Sequence, residues 1–352
     1  MRYRNITVSY LSLFVASCGS AQELKAPALE MGPISLRPSG FLDYIMMRRP
    51  PISPDSLGTR FSAIPLNPPA PQWLHSVAHS RTALTADVEA GGWWRGYYES
   101  DFLAEPGQAP YRLRQLWGQF ERGSWKILGG QAWSLLRPNR VGVSAETDLM
   151  NTIVVEPGYH VGLAGARNRQ LRLTRSLGRW QAAVAFEHRG GPDFAAKLVR
   201  DGGRSHYEAA ILAGHQGRRG VALAAVVRPT SRLTWVNQQI WSQGLGPDLV
   251  GPLPARVHAH ALIQGLEVKL TGKLQVFGYG GLAYAGRSPG ARLLRQWSAG
   301  FHRSLFKHPL YGATFLSFQF SQAGRALWPG GSGSMNYFMF ALRHDLLPRS
   351  GR

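Results

Sequence analysis

Stretches of about ten residues in which apolar and polar side chains alternate one by one dominate this sequence, and a period of two makes the extended strand its main building unit. Leu42, Tyr44 and Met46 alternate with Phe41, Asp43 and Ile45, and Thr82, Leu84, Ala86 and Val88 with Thr85, Asp87 and Glu89. Trp94, Tyr98 and Phe102 share one parity, and Arg95, Tyr97, Glu99 and Asp101 the other. Trp180, Ala182, Val184 and Phe186 oppose Gln181 and Glu187, and Leu316, Phe318 and Phe320 oppose Ser317, Gln319 and Ser321. Beyond the N-terminal segment no run approaches the ~20 apolar residues of a transmembrane helix, the longest being Val221 to Val227. A chain of this kind enters a bilayer only as a closed sheet, since lipid offers no partner to an unpaired backbone group. The expected fold class is therefore all-β, a transmembrane antiparallel β-barrel of 14–16 strands.

Alternation alone does not separate this barrel from a soluble sandwich, whose apolar face points to a core. The connections do. Short turns at 91–92, 122–124, 177–179, 216–219, 271–272 and 307–309 alternate with longer connections at 49–78, 105–110, 137–159, 190–204, 230–255, 286–291 and 323–333. Short periplasmic turns and long extracellular loops are the asymmetry of outer-membrane barrels. The count gives 14 strands, or 16 if 49–78 or 230–255 conceals a hairpin, with Leu233, Trp235 and Ile240 favouring the second. Arg295 and Arg303 fall on the apolar parity of their strand, which places them near the membrane interfaces or in a subunit contact. The alternation slips at 114–117 and 265–269, where a bulge would restore the phase.

The first residues read as an export signal: Arg2 and Arg4, an apolar stretch from Ile6 to Ala16, then Gly19, Ser20 and Ala21 before Gln22. The expected organisation is a signal peptide at 1–21, a periplasmic segment at 22–35, the barrel at 36–346 and a C-terminal tail at 347–352. Val15-Ala16-Ser17-Cys18 also reads as a lipobox, and as the only cysteine Cys18 leaves no internal disulfide and no cysteine-based metal site. Forty basic residues face 20 acidic ones; losing Arg2 and Arg4 leaves 38 against 20, a net +18. That balance predicts anionic partners. Only six of the 40 are Lys, and the Arg are spread along the strands and their loops rather than gathered into a basic helix, which argues against nucleic acid.

The segment GGQAWSLLRPNRVG, Gly129 to Gly142, runs a strand into Arg137-Pro138-Asn139-Arg140, where the proline halts the ladder. Glu146, Asp148, Asn151 and Glu156 follow in a polar connection, 137–159, long enough to fold inward and narrow the lumen. The plainer alternative is an extracellular loop packed on its neighbours. Arg112 and Arg114 share one side of a strand, and Arg172 lies on the polar parity beside Leu171 and Leu173. With Arg95, Arg137 and Arg140 they form a candidate basic ladder, and Glu99 and Asp148 complete the candidate pore-lining set. Rings of Arg favour anions in pores. The competing reading pairs each Arg with Glu99, Asp101 or Asp148, or turns it to headgroups.

No serine-hydrolase elbow, phosphate-binding glycine loop or zinc motif is present, so neither a catalytic residue nor a metal or other cofactor is expected. His258 and His260 share one strand face, where two histidines in a wet lumen are more common than a metal pair.

SGFLDY at Ser39 to Tyr44, the GGQAWSLLRPNRVG run and the closing NYFMFALRHDL at Asn336 to Leu346 resemble porins of the DcaP type, a group associated with dicarboxylate uptake, and more loosely other Gram-negative general porins. The resemblance implies a 16-stranded trimeric barrel in the outer membrane, a constriction loop and an anion-favouring lumen. Expected partners are small anionic solutes, outer-membrane lipid and lipopolysaccharide, and two further copies of the chain. The N-terminal coiled coil of many members is missing, and the chain runs past the usual terminal aromatic to Arg352. Two other readings stay open: a secreted or lipidated surface β-protein that binds an anionic ligand, and a barrel enzyme acting on lipids.

Overall fold

The computed structural model describes residues 28–52, 61–103, 111–145, 160–246, 257–287 and 290–346. Its strands are β1 (Leu29–Met31), β2 (Ile34–Arg49), β3 (Gln72–Ser76), β4 (Arg81–Glu89), β5 (Trp93–Asp101) and β6 (Arg112–Arg122). There follow β7 (Trp125–Trp133), β8 (Arg167–Leu177), β9 (Trp180–His188), β10 (Pro192–Asp201), β11 (Ser205–Gly214) and β12 (Arg219–Val227). The last six are β13 (Leu233–Gln243), β14 (His258–Lys269), β15 (Leu274–Ala285), β16 (Gly290–His308), β17 (Gly312–Trp328) and β18 (Ser332–Asp345).

From β4 onward each strand pairs antiparallel with the next. The ring closes where Phe338–Asp345 of β18 pairs with Arg48–Phe41 of β2. On its other edge β2 pairs with β4 over Ile34–Phe41 and with β3 over Ile45–Arg49, so β3 and β4 make one interrupted stave. With β1 only a short extra pairing on β2, the wall is a closed barrel of 16 staves. Closure leaves none of these 16 staves as a free edge that could template aggregation.

Besides 49–78, which holds β3, two of the connections read from sequence each contain a strand. β10 lies inside 190–204, and 230–255 holds the single strand β13 rather than a hairpin. Glycine pairs at 190–191 and 202–203 bracket β10, and Lys197 stands on its buried inner face, so composition and charge mask its alternation. One consequence is that the connection at 215–218 lies on the same rim as 134–166, opposite the rim that carries the chain ends. The expected bulge at 114–117 is present: Glu99 pairs with Gln115 and Ser100 with Leu113, leaving Arg114 as the extra residue. At 265–269 there is none, because β14 keeps unbroken register with β15 and Glu267 turns inward in phase.

The outer face is apolar. Leu171 is 61% exposed and Phe186 57%, with Ile127, Val184 and Leu198 on neighbouring strands. Arg295 and Arg303 are on this outer face too, flanking Trp297, Ala299 and Phe301. Eight residues of strand span roughly 26 Å along the strand, or about 20 Å of height at a tilt of about 40°, so the two arginines sit towards opposite edges of an apolar band about 25 Å tall. In lipid such a surface is solvated, as polar surface is in water. Leu171→Arg should therefore reduce folding free energy into bilayers by about 2–4 kcal/mol, measured by urea titration in vesicles.

Candidate functional site

Beyond Trp133 the chain leaves the wall and turns into the barrel. Ser134 makes the turn, its carbonyl accepting from the Arg137 N–H (3.0 Å) and its Oγ from the Leu136 N–H (3.2 Å), while its own N–H donates to the Ala166 carbonyl at 3.0 Å. Backbone inside a barrel has no ladder partner, yet buried N–H groups must be paired. Side chains of the wall supply the acceptors. The N–H of Leu135 donates to Glu187 Oε1 (2.9 Å), of Asn139 to Glu208 Oε1 (2.9 Å), of Gly142 to Asp201 Oδ2 (3.0 Å) and of Val143 to Gln181 Oε1 (2.8 Å). On the returning limb the Val161 N–H donates to Gln296 Oε1 (3.0 Å) and the Ala164 N–H to Gln238 Oε1 (3.2 Å). These acceptors stand on β9, β10, β11, β13 and β16, so the described parts of the loop lie across one side of the lumen.

Small residues make room for it. Leu135, Leu136, Val161 and Leu163 share one buried cluster with Ala183, Ala210, Ala222, Ala259 and Ala261 of the wall. Gly162 has φ +95°, and a Cβ there would run into the Leu262 carbonyl; one at Gly281 on β15 would meet the Val161 carbonyl. Lys197 ties the other limb, donating from Nζ to the Arg137 carbonyl (2.6 Å), to Asn139 Oδ1 (3.2 Å) and to Glu208 Oε2 (2.9 Å). His206 bridges Asp201 Oδ1 (2.6 Å) and Glu208 Oε1 (2.8 Å) behind it.

The facing wall carries an ionic lattice. Arg114 reaches Glu99 Oε1 at 2.7 Å and Asp101 Oδ2 at 2.6 Å, and Arg112 grips Asp101 with Nε (2.9 Å) and Nη2 (2.7 Å). Arg81 lies 3.8 Å from Glu99. Arg95 sits apart with Arg37 on Asp87, its Nε 2.8 Å from Oδ1, and Arg343 pairs with Asp43. The lattice thus holds six guanidinium groups on four carboxylates.

The eight candidate residues divide into groups. Arg112, Arg114 and Glu99 are together on β5 and β6, and Arg95 is on the same wall beside a different acid. Arg137 and Arg172 meet at Trp133: the Arg137 guanidinium lies 4.0 Å over the indole and its Nη1 donates to the Ala164 carbonyl (3.0 Å). Arg172 donates from Nη2 to the Trp133 carbonyl and from Nε to Gln170 Oε1 (3.0 Å). Arg167 (5.0 Å) and Arg114 (6.0 Å) also approach the Trp133 ring. Arg140 stands across the lumen with Glu267, Nη1 to Oε2 at 3.1 Å. Asp148 lies outside the described residues, as does Cys18. His258 and His260 are on the outer face of β14, not in the lumen, because inward Ala259 and Ala261 fix the parity.

Sequence reading missed the residues that seat the loop, namely Lys197, Asp201, Glu208, Gln238 and Gln296. Their signal was available, since each is a polar or charged residue on the inward parity of its strand. For Lys197 and Asp201 it was hidden by taking 190–204 as a connection.

His160, on the returning limb, is fully buried, with Nδ1 3.1 Å from the Val161 carbonyl. Burial disfavours its charged form and brings its pKa from 6.5 down to about 4, the backbone contact opposing only in part. An undocked limb takes up a proton in that window and a docked one does not, so docking is at full strength above pH 6.5 and weakens as pH falls towards 4. The loss by pH 4 is about 3 kcal/mol, and conductance steps in planar bilayers between pH 7 and pH 4 should become larger or noisier. Gly281→Ala should produce the same change at neutral pH by unseating Val161.

No protein-family model matches the sequence. A comparison with curated protein sequences finds no match. Solved structures do match. The outer membrane channel DcaP of Acinetobacter baumannii superposes with a TM-score of 0.74 at 15% identity, over 91% of this chain and 99% of that one. OmpT of Vibrio cholerae, an outer membrane protein recorded in a trimer form, gives 0.58 at 8% identity over 89% and 99%. A mutant of the Rh. blastica porin gives 0.53 at 10% identity over 88% and 99%. At these identities the likeness is one of architecture, and the chain has the fold of the outer-membrane porins and of the DcaP channel.

Proposed function

We propose that this chain is an outer-membrane porin giving passive diffusion of small hydrophilic, preferably anionic solutes, with dicarboxylates as the favoured class. The observation that carries the reading is the loop seated inside a 16-stave barrel opposite a wall with more guanidinium groups than carboxylates. Pore width and lumen charge suffice for selectivity, so no cofactor, energy input or catalytic step is involved. Arg95, Glu99, Arg112, Arg114, Arg137, Arg140, Asp148 and Arg172 would border the path. Export by a signal peptide cleaved after Ala21, insertion beside lipopolysaccharide and assembly as a homotrimer complete the proposal.

Because most lumen arginines are paired, the field is the remainder of a near cancellation. Three guanidinium groups, of Arg114, Arg137 and Arg167, come together at the Trp133 indole. Guanidinium forks there match carboxylate oxygens in pairs, and two such groups suit a solute carrying two carboxylates.

Reversal potentials under a salt gradient should show anion preference at low salt, fading as the Debye length shrinks from ~30 Å at 0.01 M to ~3 Å at 1 M. Cation preference at low salt would contradict the proposal. Asp101→Asn should increase anion preference by releasing Arg112 and Arg114, while costing on the order of 3–5 kcal/mol of stability. An unchanged reversal potential in a folded Asp101→Asn barrel would place this lattice off the ion path.

A further inference from the structure

The arginines of the lumen lattice are paired with carboxylates; a group of outer ones is not. On the rim that carries the short turns at 123–124, 178–179 and 202–204 stand Arg122, Arg175, Arg179, Arg200 and Arg204, all exposed. None forms an ion pair with a carboxylate among the described residues, and Glu121, beside Arg122, is held by Lys126 at 3.1 Å. Arg175 and Arg200 are on outward parity, in line with Leu171 and Leu173 on β8 and with Leu198 on β10. Two exposed tryptophans accompany them: the Arg175 guanidinium lies 4.9 Å over the Trp125 ring and that of Arg200 5.8 Å over Trp180.

From these placements we propose that the turn rim of β6 to β11 is a binding surface for anionic phospholipid headgroups of the leaflet it meets, the periplasmic one. Three features select this occupant. The charges begin where the apolar band of Ile127, Leu173 and Leu198 ends, at the level of lipid phosphates. Trp125 and Trp180 occupy that level as interfacial aromatics do, each with an apolar body and a polar edge. Contact with an indole also holds Arg175 and Arg200 against the barrel surface, at the level of the headgroup layer. A soluble anion would need none of this apolar framing. The surface is separate from the lumen and rests only on the transmembrane fold, so it stands whatever solute the pore passes.

The test uses the full mature barrel, folded in detergent and checked by heat-modifiable gel mobility, with native mass spectrometry after exchange into micelles holding equal phosphatidylglycerol and phosphatidylethanolamine. Retained phosphatidylglycerol should exceed phosphatidylethanolamine by about tenfold. Combined Arg122→Gln, Arg175→Gln, Arg179→Gln and Arg200→Gln should bring the ratio near one, and the corresponding four Lys substitutions should restore it. Arg169→Gln with Arg219→Gln, on the opposite rim, should leave it unchanged. Equal retention by the unaltered protein, or a preference surviving the four Gln substitutions, overturns the proposal. So does a preference for lipid A that those substitutions abolish, or release of phosphatidylglycerol by inorganic phosphate, either of which assigns the surface to another occupant.

Discussion

A segment of backbone inside a barrel has no neighbouring strand to pair with, and that constraint shapes the interior of this protein. The loop that follows Trp133 brings buried N–H groups into a space walled by other strands, where each unpaired group would cost roughly 1–3 kcal/mol. Glu187, Glu208, Asp201, Gln181, Gln296 and Gln238 answer them one for one. Between these acceptors the wall is rich in alanine, because the loop's own Leu and Val side chains take the volume that larger wall residues would fill. The composition of β9 to β16 is therefore that of a docking surface for the chain's own loop.

Seating the loop on one side leaves the other wall to govern the field. A carboxylate among arginines here has two effects. Glu99 and Asp101 let Arg114 be buried, and they cancel most of the charge that it and Arg112 would project. Buried pairs of this kind contribute little net stability when intact and cost much when one partner is removed. What faces the lumen here is the small surplus of guanidinium, held at fixed positions by bidentate contacts, so position carries as much information as sign.

The barrel was legible because lipid and lumen impose opposite chemistries on alternate residues, and the parities of β2, β4, β5, β9 and β17 follow directly from that. β10 was not, since Ala195 and Lys197 on its inner face answer to the loop rather than to water. The bulge at Arg114 could be anticipated from a broken period. The split of the arginine ladder into pairs could not, because cross-strand partners such as Asp87 with Arg95, or Asp43 with Arg343, depend on register, which sequence spacing leaves open. Likewise Glu267 meets Arg140 only because the loop crosses the lumen. His258 and His260 went astray for a related reason: at the end of a strand, polar residues occur on the lipid face as readily as on the inner one.

Formal charge is thus a poor guide to where this protein is electropositive. Of the surplus in the chain, the lumen lattice accounts for two charges, six guanidinium groups less four carboxylates. The larger uncompensated groups lie on outward parity or in the rim turns, as at Arg122, Arg175, Arg179 and Arg200. Arginine tolerates both places for different reasons. In the lumen its fork saturates a carboxylate; at the rim its flat, weakly hydrated face lies on an indole while its edge stays polar. A lysine-rich chain of equal charge would gain neither the bidentate lattice nor the stacked rim, which gives a physical basis for 34 arginines and only six lysines in this sequence.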